Sequence, residues 1–144
     1  MRRRLYFAYG SNLDADQMRA RCPSSRGLFR ARLPHHRLDF TYYSSRWSGG
    51  AADVVPHSDH EVWGVVYELD EEDLVRLDRY EGGYDRVHLE VTDDAVAVHR
   101  ITSYAVRHKY SFSPHRAYLE KMLTWGDHWG LPPAYLSALR RFGV

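Results

Sequence analysis

The stretch YFAYGSNLD, residues 6–14, changes character in its middle. Residues 6–9 are aromatic or small and apolar, as in a buried strand, whereas Gly10, Ser11 and Asn12 are turn formers. Asp14 suits a helix N-cap, so a strand, a tight turn and a helix are expected in succession. Such a turn is either a plain connection or a cradle whose amides bind a carboxylate or a partial negative charge. Taken alone, these residues favour the plain connection.

Around this stretch the sequence predicts about seven strands and four helices. The strands are expected at residues 4–9, 28–33, 38–43, 51–55, 62–69, 84–91 and 96–106. The helices are expected at residues 14–21, 70–81, 114–129 and 133–141. Because strands and helices do not alternate regularly, the pattern argues against a doubly wound sheet. A mixed, partly closed sheet or a small barrel with peripheral helices is the better prediction.

Length and composition limit the classes of protein that fit. The 144 residues suit a single domain over 1–144 with a core large enough to fold unaided. A net charge of +1 gives no reason to expect nucleic acid as a partner. The apolar run behind Arg2-Arg3-Arg4 is too short for a signal peptide, and no stretch approaches the roughly 20 apolar residues of a membrane span. With Cys22 as the one cysteine, no internal disulfide can form, and a cytoplasmic protein is expected.

Two features of the polar residues bear on whether the protein has a binding site. Only Lys109 and Lys121 are lysines among the 20 basic residues, and the planar fork of arginine suits carboxylates or phosphates. The arginines are dispersed, however, which favours a general surface bias. The pairs His35-His36 and His57-Ser-Asp-His60 could offer metal ligands, but zinc sites need three or four that converge. We expect His57 and His60 in a loop between strands, and no metal site is predicted.

Glu81 stands out because it ends the stretch LDRYE directly before two glycines. A carboxylate at the C-terminal end of a helix meets the negative end of the helix dipole, which raises its pKa, as burial also does. An acid held in this way is a candidate general base. The alternative is an exposed glutamate paired with Arg79 or Arg86, and this segment alone favours the alternative.

Taken together, the two stretches resemble the γ-glutamylcyclotransferase family. The resemblance runs from Tyr6 to about Leu139 and includes YFAYGSNL, Met18, Arg21-Cys-Pro, DHEVWGVVYEL, LDRYEGGY, SPHRAYLEKML and GLPPAYLSAL. The YGSN turn and the D-x-x-E-G segment are its most specific parts. The resemblance implies an α+β fold, namely a small mixed, mostly antiparallel β-barrel with flanking helices, and a reaction without a cofactor.

The resemblance also implies an activity and a set of site residues. Enzymes of this family cyclise the glutamyl part of γ-glutamyl compounds to 5-oxoproline and release the attached amine or amino acid. The family's catalytic glutamate falls on Glu81. The implied substrate-binding residues are Tyr6, Tyr9, Gly10, Ser11, Asn12, Leu13, Tyr84, Tyr104 and Tyr118. The implied partner is a small-molecule γ-glutamyl substrate, and a homodimer stays open.

The branch of the family decides the substrate. YGSN followed by Met18 and Arg21-Cys-Pro is similar to the branch that acts on γ-glutamyl-amino acids. The γ-glutamylamine branch more often has YGT with a following Lys-Gly, and the glutathione-specific branch has YGS with a hydrophobic run. The segment Gly82-Gly83-Tyr84 is shorter than the loop of some γ-glutamyl-amino-acid enzymes, which leaves the released group open. The alternatives are a cyclotransferase for a γ-glutamylamine or a biosynthetic γ-glutamyl intermediate, and a non-catalytic binding module for a small carboxylate.

Overall fold

The computed structural model describes residues 2–143. Within them lie five strands: β1 (Arg3–Ala8), β2 (Arg26–Ser44), β3 (Gly49–Asp70), β4 (Tyr84–Asp93) and β5 (Val98–Val106). The four α-helices of the same residues are α1 (Ala15–Arg21), α2 (Glu71–Asp78), α3 (Arg116–His128) and α4 (Pro133–Arg140). Short 3₁₀ helices span Ser11–Leu13 and Arg141–Gly143.

The strands close into a barrel in the order β1-β3-β2-β4-β5. All neighbouring pairs are antiparallel except β1 and β5, which meet in parallel at Tyr6 and Thr102. A barrel of this size is filled by side chains, and Phe7, Phe40 and Tyr67 are among the largest fully buried ones. The predicted α+β fold, a mixed and mostly antiparallel barrel with flanking helices, is confirmed.

The prediction of seven strands is wrong, because four of the expected strands form the two long strands β2 and β3. The sequence predicts a break between strands at Pro34-His35-His36, but β2 continues through these residues with a shift in register. His35 has a φ of 62° and alone faces residues 57–60 of β3, as at a bulge. The expected loop is therefore part of β3. Within residues 2–143, no group of three or more His, Cys, Asp or Glu side chains could hold a metal ion.

The helices next to the site begin as predicted, but one ends early. The carboxylate of Asp14 accepts hydrogen bonds from the amides at the start of α1, and that of Asp70 accepts from the amide of Asp73 at the start of α2. Helix α2 ends at Asp78 rather than at residue 81, so Glu81 lies in the turn that follows. In the described part of the chain, no helix is both long and apolar enough to cross a membrane.

Candidate active site

One cavity of about 460 Å³ opens where four segments of the fold meet. These segments are the turn after β1, the hairpin turn between β2 and β3, the turn after α2, and the start of α3. The predicted site residues that line the cavity are Tyr6, Tyr9, Gly10, Ser11, Asn12, Glu81, Tyr84, Tyr104 and Tyr118. The fold thus brings together residues that lie more than a hundred positions apart in the sequence.

Leu13 is the exception among the predicted site residues. Its side chain is 1% exposed and belongs to the hydrophobic core, and it does not line the cavity. Its carbonyl oxygen accepts a hydrogen bond from the indole nitrogen of Trp129 at 2.9 Å. The structure therefore corrects the assignment of Leu13 as a substrate contact, since this residue anchors the turn from behind.

The amides of residues 10–12 in the turn have no backbone partner among residues 2–143, although the amide of Ser11 bonds the hydroxyl of Tyr118. Ser11–Leu13 forms a single 3₁₀ turn, and no side chain caps its first residue. In residues 2–143, the amides of Gly10, Ser11 and Asn12 donate no backbone–backbone hydrogen bond, as is usual for the first amides of a helix. The hydroxyl of Tyr67 donates to the carbonyl of Asn12 at 3.1 Å and holds the turn on the barrel. The result is a set of donors at the edge of the cavity.

The side chain of Asn12 is held on three sides. Its oxygen accepts hydrogen bonds from Gln17 at 2.9 Å and from Arg21 at 3.1 Å, and its nitrogen donates to the hydroxyl of Tyr6 at 3.1 Å. Gln17 lies three residues after the N-cap Asp14, a spacing that favours a capping box between the two residues. Its side-chain nitrogen instead donates back to the turn, to Ser11 at 3.0 Å and to Asn12 at 2.9 Å. Its position fixes the orientation of the turn.

Close packing requires a glycine at position 10. A β-carbon at this position would lie 2.8 Å from the hydroxyl oxygen of Tyr118 and 3.1 Å from the β-carbon of Ala52. The Tyr118 hydroxyl is fixed, because it accepts a hydrogen bond from the amide of Ala52 at 3.0 Å. Glycine therefore lets the turn approach Tyr118 closely.

Tyr9, Tyr84 and Tyr118 form the inner wall of the cavity, and Tyr9 and Tyr118 are buried. Tyr9 donates to the carbonyl of Tyr104 at 2.6 Å, and Tyr84 donates to the carbonyl of Ala52 at 2.6 Å. Burial raises the pKa of Tyr9 and Tyr84 well above the ordinary value, and that of Tyr118 to about 12. The wall therefore carries neutral hydroxyl groups near neutral pH.

Glu81 is a partly buried acid without a partner. Across residues 2–143, no hydrogen bond or ion pair reaches its carboxylate, and Arg86 binds Asp78 instead through two contacts of 2.7 Å. The alternative of a glutamate paired with Arg79 or Arg86 is therefore wrong. Burial raises the pKa of Glu81 to about 7, the charge of Arg21 opposes this, and the charge of Asp78 adds to it. The carboxyl group can thus exchange protons near neutral pH.

Several residues of the cavity were not selected from the sequence. Arg21 entered only as part of a motif, yet its guanidinium lies 4.5 Å from the ring centroid of Tyr80 and its charge acts on Glu81. Arg46, Arg79 and Tyr80 also line the cavity. The excess of arginine over lysine is the one sequence signal for Arg21, Arg46 and Arg79, and their dispersion along the chain favours a general surface bias instead.

Comparison with known proteins places this geometry in a family. The family model described as γ-glutamyl cyclotransferase, AIG2-like, matches residues 6–127. A γ-glutamylcyclotransferase of Mus musculus is 33% identical over 94% of this chain and 77% of its own length, and that of Homo sapiens is 32% identical over the same shares. The chain belongs to the γ-glutamyl cyclotransferase, AIG2-like family. It is an enzyme of the γ-glutamylcyclotransferase type.

Solved structures of γ-glutamyl cyclotransferases share the fold. A structure described as γ-glutamyl cyclotransferase superposes with a TM-score of 0.93 at 31% identity and covers 96% of this chain and 87% of that chain. A yeast γ-glutamyl cyclotransferase specific to glutathione superposes with a TM-score of 0.68 at 16% identity, over 97% of this chain and 95% of that chain. The yeast structure shows the fold alone, whereas the family model and the relatives above 30% identity show the family.

Proposed function

We propose that this cyclotransferase converts γ-glutamyl-amino acids to 5-oxoproline and a free amino acid. The observation that carries the proposal is the placement of an unpaired carboxyl group, Glu81, in one cavity with residues 10–12, whose amides have no backbone partner within residues 2–143. The first group suits proton transfer and the second suits a developing negative charge on oxygen. Both are needed when an amine attacks an amide carbon.

The substrate supplies its own nucleophile. The α-amine of the glutamyl part attacks the γ-carbonyl carbon of the same molecule, a C–N bond forms in the new ring, and the original amide C–N bond breaks. Holding the substrate in the ring-like conformer turns this into an oriented intramolecular reaction, whose advantage can reach ~7–11 kcal/mol of the barrier. The cavity wall of rigid tyrosines supports such a conformer, because the hydroxyls of Tyr9 and Tyr84 are already bound to backbone carbonyls.

Glu81 moves the proton in this proposal. The substrate amine is protonated near neutral pH and must lose a proton to attack, while the departing nitrogen must gain one. A carboxylate with a pKa of about 7 can accept the first proton and return it to the leaving group. Acid–base catalysis of this kind contributes typically ~10²–10⁴-fold.

The turn at residues 10–12 stabilises the oxyanion. As the amine adds to the carbonyl carbon, negative charge develops on the γ-carbonyl oxygen, and fixed donors aimed at that oxygen lower the barrier. Removing one such donor from an enzyme typically costs ~2.7–4 kcal/mol. The clamp on Asn12 by Gln17 and Arg21 supports this role, since it holds the donors in place before the substrate arrives.

The test is an assay for 5-oxoproline and the released amine over γ-glutamyl-alanine, γ-glutamyl-ε-lysine and glutathione. We expect turnover of the γ-glutamyl-amino acid and its loss in Glu81→Gln, which keeps the shape of the side chain and removes the proton acceptor. Glu72→Gln is the matched control, because Glu72 is exposed on α2 and lines no cavity. Near-normal turnover in Glu81→Gln would show that the acid–base assignment is wrong.

The outcome also separates the alternatives. Preference for γ-glutamyl-ε-lysine or another γ-glutamylamine would assign the chain to the amine-releasing reaction. No turnover of any compound, together with a higher melting temperature in the presence of 5-oxoproline, would favour a binding module. The unpaired state of Glu81 argues against a pure binder, because such a protein gains nothing from a buried acid whose ionised form is destabilised.

A further inference from the structure

The mouth of the cavity carries positive charge without counter-ions. Arg21, Arg46 and Arg79 line the cavity, and none of them forms an ion pair within residues 2–143. Ten other arginines of the same residues are ion-paired. Other arginines of the same residues, such as Arg19 and Arg100, also lack an ion pair, but they do not line this cavity. Three unpaired guanidinium groups are therefore gathered at one cavity.

Tyr80 brings two of these cations together. The guanidinium of Arg21 lies 4.5 Å from the ring centroid of Tyr80, and that of Arg46 lies 5.7 Å from it. Each contact is an attractive cation–π interaction, but the two cations repel one another. Burial lowers the pKa of Arg21, and the charge of Arg46 lowers it further. An anion bound at this place would relieve the repulsion. Glu81 cannot serve as a permanent counter-ion if it takes up a proton in each turnover.

The turn that carries Arg46 is anchored. It connects β2 to β3, and its next residue, Trp47, packs edge-on against Tyr118 with ring centroids 5.3 Å apart. The ammonium of Lys121 lies 5.1 Å from the Trp47 ring. Arg46 itself is exposed, so its fork stays open to a ligand while its backbone is held near the site.

We propose that Arg46 and Arg79 bind the α-carboxylate of the amino acid to be released, an inference that rests on the proposed function. The fork of arginine pairs with carboxylates through two parallel hydrogen bonds. In an α-amino acid this carboxylate lies two bonds from the nitrogen of the scissile amide, and Tyr80 directly precedes Glu81. Arg46 and Arg79 are exposed where they line the cavity, whereas Arg21 is partly buried and its charge acts on Glu81.

Charge favours the same substrate class. A γ-glutamyl-amino acid with a neutral side chain carries two carboxylates and one ammonium, and therefore one net negative charge. A γ-glutamyl derivative of a simple amine carries one carboxylate and one ammonium, and therefore no net charge. An unpaired cationic mouth attracts the first and gains little from the second. Arg46 and Arg79 are thus specificity-determining residues for the leaving group.

The experiment compares γ-glutamyl-alanine with γ-glutamyl-alaninamide, which differ in charge and hardly in size. The quantity measured is the ratio of kcat/KM for the two compounds, with 5-oxoproline as the common product. We expect the wild-type protein to prefer γ-glutamyl-alanine by about tenfold, and the double variant Arg46→Gln, Arg79→Gln to lose most of that preference. Arg140→Gln is the control, since Arg140 is exposed on α4 and lines no cavity, and it should keep the ratio.

Each result has one meaning. A wild-type ratio near one, or a double variant that keeps the wild-type ratio, overturns the role of Arg46 and Arg79 and leaves the proposed function standing, because 5-oxoproline is still formed. Absence of 5-oxoproline from both compounds overturns the proposed function and this inference with it. A fall of the ratio in 0.5 M salt, where exposed charges are screened, supports an electrostatic origin.

Discussion

Replacing Glu81 by glutamine should stabilise the protein at pH 8 while it removes activity. The carboxyl pKa rises from an ordinary value of 4.5 to about 7 in the folded protein, chiefly through burial. Each pKa unit corresponds to 1.36 kcal/mol, so the ionised side chain destabilises the folded state by up to about 3 kcal/mol. Because Glu81 is only partly buried and glutamine must also be accommodated, we expect a gain of about 1–3 kcal/mol in the free energy of unfolding.

The pH dependence gives the prediction its sign. A carboxyl group whose folded-state pKa is raised costs nothing below pH 4.5, where it is neutral in both states. Between pH 4.5 and about pH 7 the unfolded chain ionises while the folded protein does not, so this group lowers the stability of the wild type as pH rises. Glutamine has no such titration. The difference between variant and wild type should therefore be near zero at pH 4 and fully developed at pH 8.

Thermal unfolding at pH 4, 6 and 8 measures this difference. A change of 1 kcal/mol shifts the melting temperature of a protein of this size by roughly 2–4 °C, so the variant should melt several degrees above the wild type at pH 8. Glu72→Gln, the exposed control on α2, should follow the wild type at every pH. A variant that is less stable than the wild type at pH 8, or equally displaced at all three values, would refute the raised pKa and remove the basis for the acid–base role.

Two further predictions concern turnover. Gly10→Ala should lower kcat/KM by about tenfold or more at a modest cost in melting temperature. The added β-carbon would lie 2.8 Å from the fixed hydroxyl of Tyr118 and would displace the amide donors. Unchanged kinetics would contradict this account of the turn. The kcat/KM of the wild type should rise with pH through about 7, since Glu81 accepts a proton only when ionised, and a profile that falls over that range would oppose the assignment.

Local sequence signals predicted those elements whose boundaries are local. The N-cap Asp14 and the start of α2 next to residue 70 follow from side-chain capping and helical periodicity, and the structure contains both. The split of β2 and β3 into four strands was wrong because Pro34 and His35 resemble a break. Whether a strand continues through such residues depends on a partner strand that absorbs the bulge, and that partner is distant in sequence.

The site was predicted in an equally uneven way. Alone, neither the turn at residues 10–12 nor Glu81 predicts an active site. The resemblance to a family assigns both to one site. The same resemblance placed Leu13 in the site because it is part of the motif, although the structure buries it in the core. Arg46 and Tyr80 were missed, because their contact requires the β2–β3 turn to meet the turn after α2. The sequence pattern of neither segment indicates that these two turns are in contact.

Asp78, the last residue of α2, and Glu81, three residues later, show how the fold creates a reactive group. Asp78 accepts two hydrogen bonds from Arg86 and one from the hydroxyl of Tyr104, and although burial opposes them, these bonds hold its pKa below the ordinary value. Arg86, a possible partner of Glu81 by sequence, is therefore paired with Asp78 instead. The negative charge of Asp78 then adds to the burial that raises the pKa of Glu81. The reactivity of Glu81 therefore depends on the complete pairing of its neighbour as well as on its own burial.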